Sequence, residues 1–157
     1  MVCSSILFIC TGNTCRSPMA EMIARHIFKE HKLSVQVSSA GLAAFDEQEW
    51  CEHDLTLAKE YNWDVGQYGS SRQIRAEMIQ ANDLILTMTE QHLAILEKRF
   101  FLIPDLLDKA HVLKPFLGIN DHNPNIRDPY GGSLQDYRNL AHELSIYLEK
   151  LPQIIKD

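Results

Sequence analysis

The fold of this 157-residue chain is decided by the stretch Ser5-Ile6-Leu7-Phe8-Ile9-Cys10-Thr11-Gly12-Asn13-Thr14-Cys15-Arg16-Ser17-Pro18. The first six residues are almost continuously apolar, which is typical of a strand buried on both faces of a parallel sheet. The next four residues have turn chemistry. Ser17-Pro18 then predicts an N-cap followed by proline at the first helical position. The stretch therefore predicts a strand, a tight loop and a helix in immediate succession.

Strand and helix patterns alternate along the rest of the chain. The predicted strands are 35–39, ending at Gly41, then 83–88 and 110–113. The predicted helices are 49–61, 75–80, 89–99 and 133–151, with Thr89 and Ser133 as the caps of the last two. Residues 118–132 are rich in Asn, Asp, Pro and Gly and predict a long loop, a feature that is often functional in a compact domain. This alternation predicts one α/β domain over residues 1–157, with a parallel sheet between two helical layers and the Cys10 loop at its carboxyl edge.

Composition narrows the classes of protein. The formal net charge of −6 argues against a general binder of nucleic acid or anionic membranes. No apolar run approaches about 18 residues, and the first residues lack the pattern of a signal peptide, so a cytoplasmic protein is expected. The four cysteines, Cys3, Cys10, Cys15 and Cys51, have neither zinc-site spacing nor that of a secreted disulfide framework. The seven histidines, among them His92, show no metal-ligand spacing and are expected in surface or packing roles. No metal or other cofactor is predicted.

Cys10 and Arg16 are separated by five residues, in a loop placed to bind an anion. A loop of this length can curl so that its N–H groups point inward at the positive end of a helix dipole. Gly12 is expected to let the backbone curve where a side chain would obstruct it, and Asn13 tolerates left-handed geometry. Arg16 supplies a planar fork for two phosphate oxygens. Donors, dipole and guanidinium together predict a lowered pKa for Cys10, with Ser17 able to donate to its thiolate.

Phosphoryl transfer also needs a proton donor for the leaving group. The candidate is Asp128, which precedes Pro129 in the long loop. On the residues alone, ordinary turn chemistry is the alternative interpretation of an Asp-Pro pair in a loop.

Taken together, the sequence resembles the low-molecular-weight protein tyrosine phosphatases. The resemblance rests on residues 9–21, on Ser39-Ala40-Gly41 and on Asp128-Pro129-Tyr130, and their order spans nearly the whole chain. It implies a four-stranded parallel sheet flanked by helices and phosphorylated proteins as substrates. It also implies a two-step reaction, in which Cys10 forms a phosphocysteine, Asp128 acts first as acid and then as base, and Arg16 and the loop amides hold the transition state. The resemblance assigns substrate contacts to Thr11, Gly12, Asn13, Thr14, Cys15, Ser17 and Tyr130.

Thr14 points to one branch of this family. Tyrosine-selective members commonly carry a bulky apolar residue here, whereas Thr14 resembles the protein-arginine phosphatases. A smaller polar side chain leaves room for a planar guanidinium and offers it a hydrogen bond, so phosphoarginine is favoured. Two features leave phosphotyrosine open: Tyr130 is typical of the tyrosine-selective members, and the acidic segment 45–49, expected to wall the cleft, is equally compatible with a solvated loop.

Outside the proposed nucleophile, the cysteines have different expected roles. The resemblance implies that Cys15 can form a disulfide with Cys10 on oxidation, a small core residue being the alternative, whereas Cys3 and Cys51 are expected to be inert. An arsenate reductase is disfavoured because no cysteine follows Cys51. A phosphotransfer carrier or a non-catalytic anion-binding module is disfavoured because Cys10, Arg16 and Asp128 occur together. A monomer is expected, with a transient dimer as the alternative.

Overall fold

The computed structural model of the chain describes residues 1–155, so the last two residues of the predicted domain lie outside the described part. The strands are β1 (Ser5–Cys10), β2 (Gln36–Gly41), β3 (Leu84–Thr87) and β4 (Ala110–Val112). The helices are α1 (Arg16–Glu30), α2 (Glu52–Tyr61), α3 (Ala76–Ala81), α4 (Glu90–Arg99), α5 (Leu106–Lys109), α6 (Leu113–Phe116), α7 (Leu134–Leu148) and α8 (Leu151–Ile155).

The four strands form one parallel sheet in the order β2-β1-β3-β4. Because β1 lies between β2 and β3, its backbone is hydrogen bonded on both edges, and its carboxyl end is held in a fixed position. Cys10 is in register with Gly41, and Ile9 is in register with Thr87. The predicted four-stranded parallel sheet is confirmed, and the loop after β1 leaves it at the middle of its carboxyl edge.

Helices cover both faces of the sheet, as predicted. Successive side chains of a strand point to opposite faces. Ile6, Phe8 and Cys10 pack in a cluster with α1 and α7, whereas Leu7 and Ile9 pack in a second cluster with residues of α3, α4 and α5. Within residues 1–155, no helix has both the length and the apolar character needed to cross a membrane.

Helix α1 begins earlier than predicted. Its N-cap is Cys15, its first residue is Arg16, and Ser17 therefore lies inside the first turn. The prediction that Ser17 caps the helix was wrong, because its hydroxyl group is hydrogen bonded to the side chains of Cys10 and Asn13 instead. The helix thus has no side-chain cap at this end.

The other element boundaries agree closely, with three differences. Residues 49–51 precede α2 rather than belong to it, and the short helices α5 and α6 were not predicted. The last predicted helix is divided after Leu148, because Pro152 has no N–H to continue the helical ladder. The predicted caps are confirmed: the side chains of Thr89 and Ser133 accept hydrogen bonds from backbone N–H groups three residues later.

Gly41 is the glycine that the loop requires. A Cβ atom there would lie 2.6 Å from the carbonyl oxygen of Thr11 and 3.0 Å from the backbone nitrogen of Asn13. At Gly12 a Cβ would meet only the Thr14 hydroxyl oxygen, at 3.7 Å. The space that the sequence analysis assigned to Gly12 is therefore needed at the end of β2, where the backbone of the neighbouring strand approaches the loop.

We expect Gly41→Ala to destabilise the protein by about 1–3 kcal/mol, because the new methyl group overlaps backbone atoms that cannot move independently. Urea denaturation measures the change in the free energy of unfolding. Gly12→Ala is the matched control and should cost clearly less. Equal losses for the two variants would contradict the assignment of the close contact to Gly41.

Candidate active site

The loop between β1 and α1 turns its carbonyl groups outward. The backbone N–H groups of Leu42, Ala43 and Cys51 donate to the carbonyl oxygens of Cys10, Thr11 and Thr14, at 3.0, 2.9 and 2.9 Å respectively. Within the described chain, no acceptor binds the N–H groups of Gly12, Thr14 and Cys15. Loop N–H groups without internal acceptors, next to a helix N-terminus, form a concave surface suited to a tetrahedral anion.

The sulfur of Cys10 lies inside this loop and accepts two hydrogen bonds. The backbone N–H of Asn13 donates to it at 3.2 Å, and the hydroxyl group of Ser17 lies at 2.8 Å. Asn13 adopts the left-handed conformation, with φ of 53°, which few residues adopt without strain. That conformation directs the N–H of Asn13 back toward the sulfur.

The side-chain amide of Asn13 determines which way the Ser17 hydroxyl points. Its nitrogen donates to the hydroxyl oxygens of Ser17 and Ser39, both at 2.8 Å, and its oxygen accepts the backbone N–H of Arg72 at 2.9 Å. Ser39 in turn donates to the carboxylate of Glu21 at 2.7 Å. Because the Ser17 oxygen accepts from Asn13, its own hydrogen is free to point at Cys10, the arrangement that stabilises a thiolate.

Burial opposes that stabilisation. Desolvation raises the pKa of the Cys10 thiol above its usual value, while the hydrogen bonds from Ser17 and Asn13 and the charge of Arg16 lower it. The direction predicted from the sequence, a lowered pKa, was wrong, because the loop was treated as an exposed cradle and the sulfur is in fact buried. The polar contacts therefore offset a desolvation cost.

Arg16 and Asp128 meet at the mouth of the loop. The Arg16 guanidinium is buried and donates to the carbonyl oxygen of Ile126 at 3.1 Å. One carboxylate oxygen of Asp128 accepts the backbone N–H of Tyr130 at 3.1 Å, and the other lies 3.6 Å from Arg16. The Asp128 side chain is 56% exposed, so it can reach both water and a bound substrate. The structure thus brings the two residues together across 112 positions of sequence.

His92 is a member of the site that the sequence analysis assigned to surface or packing roles. Its ring Nε2 lies 2.8 Å from the Thr11 hydroxyl, and no group among residues 1–155 pairs with its Nδ1. Burial and the nearby charge of Arg16 lower the pKa of His92 to about 4. A neutral imidazole therefore holds Thr11 without adding charge. In the sequence, His92 is recognisable only as a histidine three residues after Thr89, the N-cap of α4. Its contact with the loop depends on how α4 packs in the fold.

A cleft of about 450 Å³ adjoins the loop. Its lining includes Thr14 and Cys15 from the loop, Gln48 and Glu49 from the segment before α2, and Tyr130. Tyr130 is 84% exposed, so its ring is available to a ligand. Of the acidic segment 45–49, only Gln48 and Glu49 line the cleft. Asp46 forms an ion pair with Arg75 instead.

The sulfur of Cys15 lies among side chains of α7 and of the start of α2. It lies 3.4 Å from the Tyr137 hydroxyl and next to the thiol of Cys51, and all three residues line the cleft. The prediction that Cys51 is inert overlooked this contact, because 36 residues separate the two cysteines in sequence. Both cysteines are free thiols. In the described chain, no group of three or more His, Cys, Asp or Glu side chains is arranged to hold a metal ion.

The fold and site place a buried, hydrogen-bonded cysteine sulfur in an anion-binding loop at the carboxyl edge of a parallel sheet. Residues 5–157 match the family model described as low molecular weight phosphotyrosine protein phosphatase, and the chain belongs to that family. It is 33% identical to the protein-arginine-phosphatase of Bacillus subtilis, over 96% of each chain. It is 34% identical to the low molecular weight protein-tyrosine-phosphatase PtpB of Staphylococcus aureus, over 96% of this chain and 98% of that one.

A solved structure of a related phosphatase has the same fold. The YwlE arginine phosphatase, as a cysteine-to-serine mutant with a phosphorylated active-site serine, superposes with a TM-score of 0.87 at 32% identity, covering 98% of this chain and 96% of that one. The family resemblance and the fold class inferred from the sequence are both confirmed.

We expect Ser17→Ala to raise the pKa of Cys10 further, since it removes a hydrogen bond that lowers it. At a fixed pH below that pKa, less thiolate is present and alkylation at Cys10 slows. The measurement is the iodoacetamide rate at the Cys10 peptide against pH, by mass spectrometry, with Ser38→Ala as control. A profile unchanged in Ser17→Ala would show that the hydroxyl does not stabilise the sulfur anion.

Proposed function

We propose that this chain is a cysteine-dependent protein phosphatase in which Cys10, Arg16 and Asp128 are the catalytic residues. The observation that carries the proposal is the Cys10 sulfur, which accepts hydrogen bonds from Ser17 and Asn13 inside a loop whose other N–H groups have no acceptor in the described chain. A sulfur held in this way beside an anion-binding surface is a nucleophile positioned for phosphorus.

In the first step, the Cys10 thiolate attacks phosphorus and the bond to the leaving group breaks. Loop N–H groups and the Arg16 guanidinium hold the three equatorial oxygens, whose charge is distributed in the transition state. Asp128, opposite the loop and reachable from water, gives its proton to the leaving atom. The phosphorylated serine in the cysteine-to-serine mutant of YwlE supports a covalent phosphoenzyme.

In the second step, the Asp128 carboxylate takes a proton from water, which attacks phosphorus. The S–P bond breaks, phosphate leaves, and the Cys10 thiolate is restored. The hydrogen bond from Ser17 stabilises that leaving thiolate, so the same contact serves both steps. Asp128 ends the cycle protonated, as it began.

The cleft favours phosphoarginine as the phosphorylated residue. Thr14 places a small polar side chain beside the loop, and Glu49 adds a carboxylate to the same cleft. A guanidinium can donate to both, and relatives from Bacillus subtilis and Geobacillus stearothermophilus are named protein-arginine-phosphatase. Phosphotyrosine is the second candidate, because the exposed ring of Tyr130 can pack on a phenyl group and other relatives are named protein-tyrosine-phosphatase.

The proposal extends to the domain, the substrates, the compartment and the oligomeric state of the protein. Residues 1–157 would form one phosphatase domain that acts on phosphorylated proteins. A cytoplasmic protein is proposed, because the spacing of its four cysteines is not that of a secreted disulfide framework. A monomer is proposed, with a transient dimer as the alternative. The sequence charge of −6 gives no general attraction to nucleic acid or anionic membranes.

We expect Asp128→Asn to lower kcat about 10²- to 10⁴-fold on a phosphopeptide, because the leaving group loses its proton donor. The loss should be smaller on p-nitrophenyl phosphate, whose leaving group is stable without protonation. The exposed Asp108→Asn is the matched control. If Asp128→Asn lost the same factor on both substrates, the side chain would not be the general acid.

We expect Thr14→Ile to shift the ratio of kcat/KM values for phosphoarginine and phosphotyrosine peptides toward phosphotyrosine by at least tenfold, because the branched side chain fills the space for the guanidinium. Glu49→Gln should shift the ratio in the same direction, and Glu47→Gln, which lies outside the cleft, is its control. A wild-type preference for phosphotyrosine that neither variant alters would establish the second candidate.

A further inference from the structure

A cluster of reactive side chains lies beside the phosphate loop and takes no part in the proposed reaction. It consists of Cys15, Cys51, Asp54 and Tyr137. Cys15 is the N-cap of α1 and Cys51 is the N-cap of α2. The backbone N–H of Cys51 donates to the carbonyl oxygen of Thr14 at 2.9 Å. The two helix starts are therefore in direct backbone contact at Thr14 and Cys51. A disulfide needs such proximity, because its two Cα atoms lie about 4.4–6.8 Å apart.

The sulfur of Cys15 is surrounded by hydrogen-bond donors. The thiol of Cys51, the hydroxyl of Tyr137 and the hydroxyl of Thr14 all contact it, the last two at 3.4 and 3.7 Å. These contacts, led by that of Cys51, lower the pKa of Cys15 to about 6 against the opposing effect of burial. Thiolates react with oxidants and thiols hardly do, so Cys15 is the sulfur of the pair that reacts first.

Asp54 is the unexplained member of the cluster. It is fully buried, and no hydrogen bond of ordinary geometry reaches either carboxylate oxygen from residues 1–155. Burial, together with the negative charge of Cys15, raises the pKa of Asp54 well above its usual value. A buried carboxyl group with a raised pKa, next to Cys51, holds its proton more readily and can donate it to a departing hydroxide.

From this geometry we propose that Cys15 and Cys51 are a redox pair that forms a disulfide on exposure to peroxide, independently of Cys10. Both sulfurs line the cleft of about 450 Å³, so a molecule of the size of hydrogen peroxide can reach them. This pairing differs from the link between Cys10 and Cys15 that the family resemblance implies.

The chemistry balances with hydrogen peroxide as the oxidant. The Cys15 thiolate attacks one peroxide oxygen, the O–O bond breaks, and the hydroxide released takes the proton of the Asp54 carboxyl group to become water. The sulfenic acid on Cys15 is then attacked by Cys51, whose thiol proton leaves as the S–S bond forms and the S–O bond breaks. The hydroxide released in this second step takes that thiol proton to become water. Two thiols are oxidised by two electrons, and one peroxide is reduced.

The disulfide would join two walls of the substrate cleft. Cys15 follows Thr14 in the loop, and Cys51 follows the segment that carries Gln48 and Glu49. A covalent link would fix the separation of these walls and would withdraw Cys15 from any reaction with Cys10. Reduction would restore both thiols, so the modification is reversible.

The test uses Cys10→Ser, in which no disulfide with position 10 can form. The reduced protein is treated with hydrogen peroxide, the reaction is stopped with catalase, and free thiols are blocked with N-ethylmaleimide. Intact mass and peptide mapping then report every cysteine. The expected result is a species two hydrogens lighter, with two blocked thiols fewer and a peptide that links Cys15 to Cys51.

Two further variants in the Cys10→Ser background make the test specific. Cys51→Ser should abolish the linked peptide and leave Cys15 to oxidise to the sulfinic acid. Cys3→Ser, which removes the cysteine outside the cluster, should form the link as before, and circular dichroism checks that each variant is folded. Blocked thiols at both Cys15 and Cys51 after oxidation, or a disulfide between two molecules, would overturn the proposal. Because the readout is mass and Cys10 is absent, this result does not depend on phosphatase activity.

Discussion

The side-chain amide of Asn13 is the interaction on which the site depends. It joins the loop, the start of α1, the end of β2 and the segment at Arg72 through three hydrogen bonds, all of them buried or partly buried. Each contributes only about 0.5–1.5 kcal/mol net, but a buried partner left unpaired costs about 1–3 kcal/mol. Loss of the amide would therefore release Ser17, Ser39 and the Arg72 backbone together. The left-handed backbone of Asn13 is stable because these contacts hold it.

Two cysteines of one loop are placed in opposite environments. Cys10 is almost wholly buried under the loop, where desolvation outweighs the donors and raises its pKa. Cys15 meets donors from three other side chains, and its pKa falls. The two sulfurs differ in their surroundings because the chain turns between them at Asn13. One sulfur faces the anion-binding surface, and the other faces α2 and α7. A short loop can thus give a nucleophile and a second reactive thiol different electrostatic surroundings.

Local features were predictable from the sequence, and contacts between distant segments were not. The strand, loop and helix at residues 5–30 follow from an apolar run, turn residues and helical periodicity, and the caps at Thr89 and Ser133 follow from residue type. The contact between Cys15 and Cys51 and that between Thr11 and His92 depend on how α2 and α4 pack against the loop. The Cys10 pKa was misjudged for the same reason, since burial is a property of the whole fold. The residue pattern offered Asp128 as a candidate with turn chemistry as the alternative, and resemblance to a family favoured the catalytic role.

The charges around the cleft bear on which phosphorylated residue fits it. Phosphoarginine carries a negative phosphoryl group joined to a guanidinium that can be positive, whereas phosphotyrosine carries negative charge alone. Arg16 and the loop N–H groups supply positive potential at the base, and Glu49 supplies a carboxylate at the wall. At an exposed position such a charge acts at high effective dielectric, so it contributes on the order of 1 kcal/mol. That is enough to alter selectivity about fivefold, and it acts in opposite directions on the two substrates. Asp46 contributes little, because Arg75 neutralises it. The proposed preference for phosphoarginine thus rests on Glu49 for charge and on Thr14 for space.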